Sequence, residues 1–341
     1  MEKYYFSKNY KDKKSAGNKA KTDIEDILSG KGYKNIGIRS NYKGVVTGYF
    51  STLASLLKAC LSMHSNSALV LQYPLKKYYT FLCRVAHLKK CKVITVIHDL
   101  GSFRRKRLTV PQEINRLNHS DYIIAHNDSM KAWLEANGIE SKLFCLEIFD
   151  YLSESKPENN SSHERYRVVY AGALSPRKNF FLQQMGDIAL TYDFNLYGSG
   201  FETQQQSPDN HINYKGFVPS DKLISTADGD FGLVWDGDST TSCNGALGEY
   251  LQYNNPHKTS LYIRCHLPVI IWSKAALAGF VKKNNIGFCI DSLDQINNLL
   301  SSLSREEYDT MRNNVVEISN KLSTGYYISR SLDEVLCEIE S

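Results

Sequence analysis

The chain has 341 residues, of which 42% are hydrophobic and 23% charged, a length and composition that predict two globular domains. No apolar run approaches the roughly 20 residues of a membrane-spanning helix, and the first residues lack the apolar core of a secretion signal, so we expect neither. The eight cysteines are scattered without a C-x-x-C pair, which argues against a zinc site or a disulfide framework and predicts a cytoplasmic protein.

The formal net charge of +5 is unevenly distributed. Residues 1–21 contain seven lysines against Glu2 and Asp12, and a second basic run covers residues 104–107. Such runs usually form a solvated face, and the functional alternative is attraction to anionic lipid or to a phosphate-bearing substrate. We do not expect nucleic-acid binding, because no aromatic residues are interleaved with the basic ones.

The first half alternates strand and helix patterns, as in a βαβ series with a parallel sheet. The clearest strand, residues 92–97, is a near-continuous apolar run of the kind that parallel sheets bury on both faces, and it ends at His98 and Asp99. Residues 15–18 are predicted to lie in a polar loop. The other predicted elements of this half are strands at 4–6, 36–38, 68–71, 121–125 and 143–146, and helices at about 20–28, 50–63, 76–88 and up to 137.

Residues 152–164 are polar and poor in hydrophobic side chains, so we interpret them as a linker. The βαβ pattern then restarts, which predicts an α/β protein of two doubly wound, Rossmann-like domains facing a cleft, at 1–151 and 165–322. A C-terminal helix in 323–341 is expected to pack back towards the first domain. The predicted elements of the second half are strands at 167–171, 194–197, 231–235, 268–272 and 287–290, and helices at about 179–189, 274–284, 292–303, 305–321 and 328–339.

One stretch of the second half, residues 254–262, has the pattern of a capped helix that can bind an anion. Asn255 suits the N-cap and Pro256 the first helical position, which would place His257 and Lys258 beside backbone amides that have no intrahelical partner. Leu261, Tyr262 and Cys265 would face a core. The alternative is an ordinary surface helix with a good cap.

Other chemical motifs are weak. Residues 198–200 begin a G-x-G-x-x-G motif, but position 203 is threonine, so a dinucleotide cofactor is not expected. The D-x-D pairs at 228–230 and 236–238 can chelate Mg²⁺ or Mn²⁺, or they can be polar turns. Our hypothesis is that the helix start at 254–262 binds the phosphates of a nucleotide. Because Arg177, Lys178 and Lys258 are available to neutralise a diphosphate, we expect no cofactor and no essential divalent metal.

Several segments resemble the bacterial β-1,6-galactofuranosyltransferases of O-antigen and cell-surface polysaccharide assembly. The most specific is the NNPHKTSLY block at 254–262, and the resemblance extends over nearly the whole chain. A looser similarity links the chain to two-domain GT-B glycosyltransferases, including the glucosyltransferases that extend glycans on serine-rich adhesins. The other matching segments are residues 97–99, 148–152, 170–175, 231–238 and 267–278.

The resemblance implies a UDP-sugar donor held by the second half and a glycan acceptor held by the first. Arg177, Tyr214 and Lys258 match donor-binding residues of the GT-B group. GT-B enzymes usually bind the ribose through a glutamate-containing motif, which the NNPHK sequence of residues 254–258 replaces here. The resemblance therefore does not identify the residue that contacts the ribose. The further donor-binding candidates are Lys178, Asn254, Asn255, His257 and Thr259, and the acceptor-binding candidates are Gly17 and Asn18.

An α-linked donor and a β product imply one displacement with inversion. Asp99 is the first candidate for the base and His98 the second, because both end a central strand of the acceptor half; Asp99 can instead be a helix cap or a loop anchor. Arg177, Lys258 and the helix-start amides would stabilise the leaving UDP.

Three functions remain open at this stage. They are transfer of galactofuranose, transfer of glucose or another hexose to a glycan or glycoprotein, and nucleotide-sugar binding without catalysis. If the acceptor is lipid-linked, the lysine-rich amino terminus would hold the enzyme at the inner membrane face. Self-association is also open.

Overall fold

The computed structural model describes residues 1–7, 16–38, 45–75, 78–104, 108–158, 164–201 and 211–341. The lysine-rich residues 8–15 and most of the basic run at 104–107 lie outside these ranges. Within them, the strands are β1 (Lys3–Tyr5), β2 (Lys34–Asn35), β3 (Ala68–Tyr73), β4 (Lys92–Ile97), β5 (Tyr122–Ala125), β6 (Lys142–Cys145), β7 (Arg167–Ala173), β8 (Asp193–Ser199), β9 (Ile212–Gly216), β10 (Phe231–Val234), β11 (Val269–Trp272) and β12 (Gly287–Ile290).

The helices of the described ranges connect these strands. They are α1 (Ala16–Gly30), α2 (Val45–Ser62), α3 (Tyr78–Leu88), α4 (Gly101–Arg104), α5 (Val110–Leu117), α6 (Asp128–Ala136), α7 (Phe181–Gln184), α8 (Ser220–Thr226), α9 (Gly245–Glu249), α10 (His257–Arg264), α11 (Ala278–Lys283), α12 (Gln295–Ser302), α13 (Arg305–Thr324) and α14 (Tyr326–Glu340), with short 3-10 turns at Met185–Asp187 and Tyr250–Gln252.

The chain forms two compact units, one of Met1–Asp150 with Gly325–Ser341 and one of Tyr151–Thr324. The first unit has a six-stranded parallel sheet in the order β2-β1-β3-β4-β5-β6. Its central strands β3 and β4 are almost wholly buried, as their continuous apolar runs predict.

The second unit has its own six-stranded parallel sheet, in the order β12-β11-β10-β7-β8-β9. The helix α10 lies directly on β10, since a Cβ atom at Gly232 would come within 2.2 Å of the Tyr262 ring. The Tyr262 hydroxyl accepts a hydrogen bond from the Ala171 amide of β7 at 2.8 Å. Because β10 has a glycine at this point, α10 can pack closely on the sheet. This contact fixes where the amino-terminal end of α10 lies. The predicted α/β class with two parallel sheets is confirmed.

Some predicted elements are corrected. The helix α1 begins at Ala16, so Gly17 and Asn18 lie in its first turn rather than in a loop. The helix predicted at 179–189 is only α7 and a 3-10 turn, because Gly186 is a poor helix former. None of the helices in the described ranges combines the length and the apolar character that crossing a bilayer requires.

Candidate functional site

Three side chains meet where β7, β10 and α10 come together, and we call them the lysine cluster: Tyr170, Asp236 and Lys258. The Lys258 ammonium donates to Asp236 Oδ1 at 2.8 Å, to the Tyr170 hydroxyl at 3.0 Å and to the Trp235 carbonyl at 3.5 Å. It also lies 4.3 Å from the centroid of the Tyr170 ring, within cation–π range. The ammonium is therefore held by a carboxylate, a phenol and a carbonyl.

Burial keeps the phenol of the lysine cluster neutral. Tyr170 is fully buried, and this burial together with the Asp236 carboxylate raises the pKa of its hydroxyl well above the ordinary value. The hydroxyl therefore stays protonated and donates to Asp236 Oδ1 at 3.2 Å. The side chains of Lys258 and Asp236 keep 15% and 23% of their exposure, so a ligand can reach the ion pair. An anion that binds Lys258 must share it with Asp236.

The start of α10 differs by one residue from the prediction. Pro256 is the cap residue, with φ −66° and ψ 125°, and its own side chain makes no capping hydrogen bond. The predicted N-cap role of Asn255 is wrong, because the fixed φ of proline is compatible with this extended conformation as well as with a first helical position. His257 and Lys258 nevertheless occupy the first turn, where the first amides have no carbonyl one turn earlier to donate to. The next amide, that of Thr259, donates to the Pro256 carbonyl at 2.9 Å.

Two polar atoms beside this turn are buried without a hydrogen bond to any described group: Asn254 Oδ1 and Thr259 Oγ1. Buried polar atoms in proteins are almost always hydrogen-bonded, so such atoms mark positions for a ligand or water. The neighbouring His257 ring stacks on Tyr151 at 4.7 Å between centroids. The predicted donor-binding residues of 254–259 thus combine an ion pair, unused polar atoms and an aromatic stack.

The remaining donor candidates lie elsewhere in the same unit. Arg177 and Lys178 follow β7 in a turn, and Arg177 is exposed. Tyr214 lies in β9, where its hydroxyl donates to the Gly198 carbonyl at 3.1 Å and its half-exposed ring packs 5.6 Å from Phe201. Within the described part of the chain, no hydrogen bond or ion pair joins Arg177, Lys178 or Tyr214 to the lysine cluster.

The two D-x-D pairs have different surroundings. Asp228 pairs with Arg167 and, at 3.3 Å, with Lys215, while Asp230 accepts the Arg167 amide at 2.8 Å. These contacts join the start of β7 and the end of β9 to the segment that precedes β10. Asp236 of the other pair belongs to the lysine cluster. Among the described residues, no group of three or more His, Cys, Asp or Glu side chains is arranged to hold a metal.

In the first unit, His98 is held at a defined orientation. Its Nε2–H donates to Gln72 Oε1 at 2.6 Å, and the Gln72 amide nitrogen donates to the Lys21 carbonyl of α1 at 3.2 Å. Because an amide oxygen can only accept, this network assigns the proton to Nε2 and leaves Nδ1 as the basic nitrogen of the neutral ring. The ring also stacks on Phe149, 5.3 Å between centroids.

Asp99 follows His98 before α4 and is half-buried. Gly17 and Asn18 occupy the first turn of α1, the helix whose Lys21 carbonyl holds Gln72. The Gln72 network therefore links the second candidate base to the helix that carries the acceptor candidates.

Tyr170 and Gln72 are not among the predicted site residues, because both lie inside buried strands and resemble core residues in the sequence. The usable signal for Tyr170 is the register of parallel strands: Val169 pairs with Gly232, so Tyr170 and Asp236 come close near the same ends of β7 and β10. That register depends on the assembled sheet.

Comparison with known proteins identifies the family. Residues 3–148 match the glucosyltransferase 3-like N-terminal domain, and residues 168–335 match the glucosyltransferase 3-like C-terminal domain. The chain is 34% identical over 334 residues to the β-1,6-galactofuranosyltransferase WbbI of Escherichia coli (strain K12), covering 96% of this chain and 97% of the relative. It is 25% identical over 260 residues to glucosyltransferase 3 of Streptococcus gordonii, covering 74% of this chain and 73% of the relative.

A solved glycosyltransferase from Rickettsia africae ESF-5 superposes with a TM-score of 0.53 at 12% identity, covering 98% of each chain, a similarity that concerns the fold alone. The resemblance inferred from the sequence is thereby confirmed, and with it the enzymatic class. The chain belongs to the glucosyltransferase 3-like family of GT-B glycosyltransferases.

Proposed function

We propose that this glycosyltransferase transfers galactofuranose from UDP-galactofuranose to a sugar hydroxyl of a surface-polysaccharide acceptor, with inversion. The observation that carries the proposal is the 34% identity, over 96% of the chain, to a protein named as a β-1,6-galactofuranosyltransferase. The eight free thiols support a cytoplasmic location for this reaction.

We assign the donor diphosphate to Lys258 and the first-turn amides of α10. A helix start favours anions through its free N–H groups and its dipole, and an ammonium adds a full charge. The partial exposure of the Lys258–Asp236 pair supports this assignment, as do the unused polar atoms of Asn254 and Thr259. When the diphosphate binds, Lys258 turns from the distant Trp235 carbonyl towards a phosphate oxygen while Asp236 and Tyr170 keep its position.

We assign the rest of the donor to neighbouring groups of the second unit. The half-exposed Tyr214 ring is suited to stack on uracil. Asn254, Asn255 and His257 remain the candidates for the ribose hydroxyls. Arg177 and Lys178 supply further positive charge for the leaving UDP, so we propose that no divalent metal is essential.

In the proposed reaction, the acceptor oxygen attacks the anomeric carbon as the bond from that carbon to the phosphate oxygen breaks. The acceptor proton passes to a base of the first unit, and UDP leaves with the bonding electron pair. Asp99 is the first candidate for this base. His98 is the second, and its Nε2–H contact to Gln72 supports a role for Nδ1 as the proton acceptor.

A second candidate function is transfer of glucose or another hexose from its UDP derivative. It is favoured by the similarity to the Streptococcus gordonii glucosyltransferase 3 and by the name of the matching family. Both functions would use the same diphosphate site, because they differ only in the sugar that follows it.

One activity assay distinguishes the two functions. The enzyme is mixed with a simple glucoside acceptor and either UDP-galactofuranose or UDP-glucose, and the products are detected by mass and by periodate sensitivity, which distinguishes the furanose from the pyranose ring. We expect product from UDP-galactofuranose alone. Product from UDP-glucose alone would replace the first function by the second.

A further inference from the structure

The helix α2 presents an apolar stripe to solvent. Five of its large side chains are exposed, and Leu61 keeps 82% of its maximal exposure. At about 100° per residue, these positions span an arc of about 120° over a length of about 18 Å. A single soluble unit rarely exposes such a continuous apolar arc without a partner. The five side chains are Tyr49, Phe50, Leu53, Leu57 and Leu61.

The stripe continues onto α3. Both helices lie on the same side of the first sheet, because each connects parallel strands in the same direction and such crossovers are right-handed. Lys89, directly after α3, donates to the carbonyls of Cys60 and Met63 at the end of α2, each at 2.6 Å. Leu88 beside it is 85% exposed, so the ends of the two helices form one surface. We call the five α2 residues with Phe81 and Leu88 the α2–α3 face.

The stretch of sequence that carries this face has basic residues and no acidic ones. Residues 27–98 contain eleven lysines and arginines and no aspartate or glutamate, whereas the rest of the chain is net acidic. Among the described residues of this stretch, three lysines pair with acids from other segments: Lys31 with Asp333, Lys34 with Glu2 and Lys92 with Asp121.

Other cations of the same stretch remain close to the apolar residues. Lys58 of α2 donates to the backbone carbonyls of Asn35 and Gly37. Arg84 and Lys90 are exposed, and Arg84 lies three residues after Phe81 and four before Leu88, on the same side of α3. The α2–α3 face is therefore apolar with a basic margin.

We propose that the α2–α3 face docks the protein on an anionic lipid surface, with α2 lying in the plane of the headgroups. Interfacial helices have this combination of an apolar arc and basic residues, and α2 is not long and apolar enough to cross the bilayer. The basic margin disfavours a second copy of the same face, since like charges would oppose each other. Nucleic acid would match the charge but would leave the leucines in water.

The test is vesicle co-sedimentation of the full chain. The vesicles contain either phosphatidylcholine alone or equal parts of phosphatidylcholine and phosphatidylglycerol. The variant Leu57→Glu/Leu61→Glu/Leu88→Glu changes three exposed side chains, so its thermal unfolding should match that of the wild type. Phe217→Glu, at a 71% exposed position of the second unit, is the matched control.

We expect the wild type and Phe217→Glu to bind the anionic vesicles, to ignore the neutral ones and to be released by high salt. The triple variant should bind about tenfold more weakly or worse. Equal binding of the triple variant, or equal binding to neutral vesicles, would overturn the proposal. So would a wild-type dimer in sedimentation velocity that the triple variant abolishes while no protein binds vesicles, because the face would then be a self-association surface.

Discussion

His98 and Asp99 are consecutive residues at the end of one strand, yet their surroundings give them different chemistry. His98 is fixed by Gln72 and Phe149, so its basic nitrogen is defined before any substrate binds. Asp99 is half-buried in the short segment between β4 and α4. The base is therefore one of two adjacent side chains, and a substitution at Gln72 distinguishes between them.

Gln72→Glu distinguishes the two candidate bases through the pH dependence of kcat/KM. A carboxylate in hydrogen-bond range of the His98 ring stabilises the imidazolium and raises its pKa. If His98 is the base, the acidic limb of the profile moves to higher pH, because the ring must be neutral to accept a proton. With Asp99, our first candidate, we expect the acidic limb to stay in place and Asp99→Asn to lose activity about 100-fold or more while UDP binding is kept.

At the scale of elements, the amino-terminal ends of helices need polar partners for their backbone amides, and α14 obtains them from a distant residue. The helix α14 begins after Gly325, which has φ +75° and no side chain to cap the helix. Asp150, far away in the sequence, supplies the cap: its carboxylate oxygens accept from the amides of Tyr327 at 3.1 Å and Ile328 at 2.8 Å. A side chain at Gly325 would meet Ile27 of α1 at 2.6 Å, so the glycine is needed for packing as well as for the backbone conformation.

Asp150 makes stability depend on pH in an unusual direction. Burial raises the pKa of its carboxyl to about 7, against the lowering effect of the two amides. The folded state therefore retains a proton that the unfolded chain loses near its ordinary pKa of 3.8. The stabilisation from this retained proton is complete below 3.8 and disappears as pH rises through about 7.

Asp150→Asn should remove this dependence. We expect the free energy of unfolding of the wild type to fall, relative to that of Asp150→Asn, between about pH 5 and about pH 8, as measured by urea unfolding. The comparison between the two proteins cancels groups that titrate in both, such as His126, whose pKa burial lowers to about 3. A difference between the proteins that is the same at both pH values would show that Asp150 titrates as it does in the unfolded chain.

At the scale of the whole molecule, local patterns predicted the two parallel sheets well, because each buried strand is a continuous apolar run with turn residues at its end. They also predicted a lysine at the start of α10. They could not predict that Asp236 and Tyr170 hold this lysine, since those contacts depend on which strands are neighbours. The Gln72–His98 contact was missed for the same reason: a polar residue inside β3 becomes informative only when β4 lies beside it.

The distribution of charge is also a property of the whole molecule. The net charge of the chain is only +5, but a stretch of 72 residues, 27–98, contains no aspartate or glutamate. This stretch includes both helices of the α2–α3 face. The lysine-rich amino terminus is conspicuous in the sequence because seven lysines fall within its first 21 residues. The exposed leucines became meaningful only when the fold left them in solvent, because an amphipathic pattern does not say which face is buried.

The central claim is that Lys258 holds the donor diphosphate in competition with Asp236. It is tested most directly by titrating UDP into the wild type and three variants, Lys258→Ala, Asp236→Asn and Lys282→Ala, by isothermal calorimetry. Lys282 is an exposed lysine of the same unit and serves as the matched control.

We expect Lys258→Ala to weaken UDP binding by about 2 kcal/mol, roughly thirtyfold, because a desolvated cation is lost from the site. Asp236→Asn should tighten UDP binding about fivefold, since the competing charge is removed while the hydrogen bond to Lys258 is retained. Lys282→Ala should match the wild type. Equal affinity for UDP in all four proteins would contradict the claim.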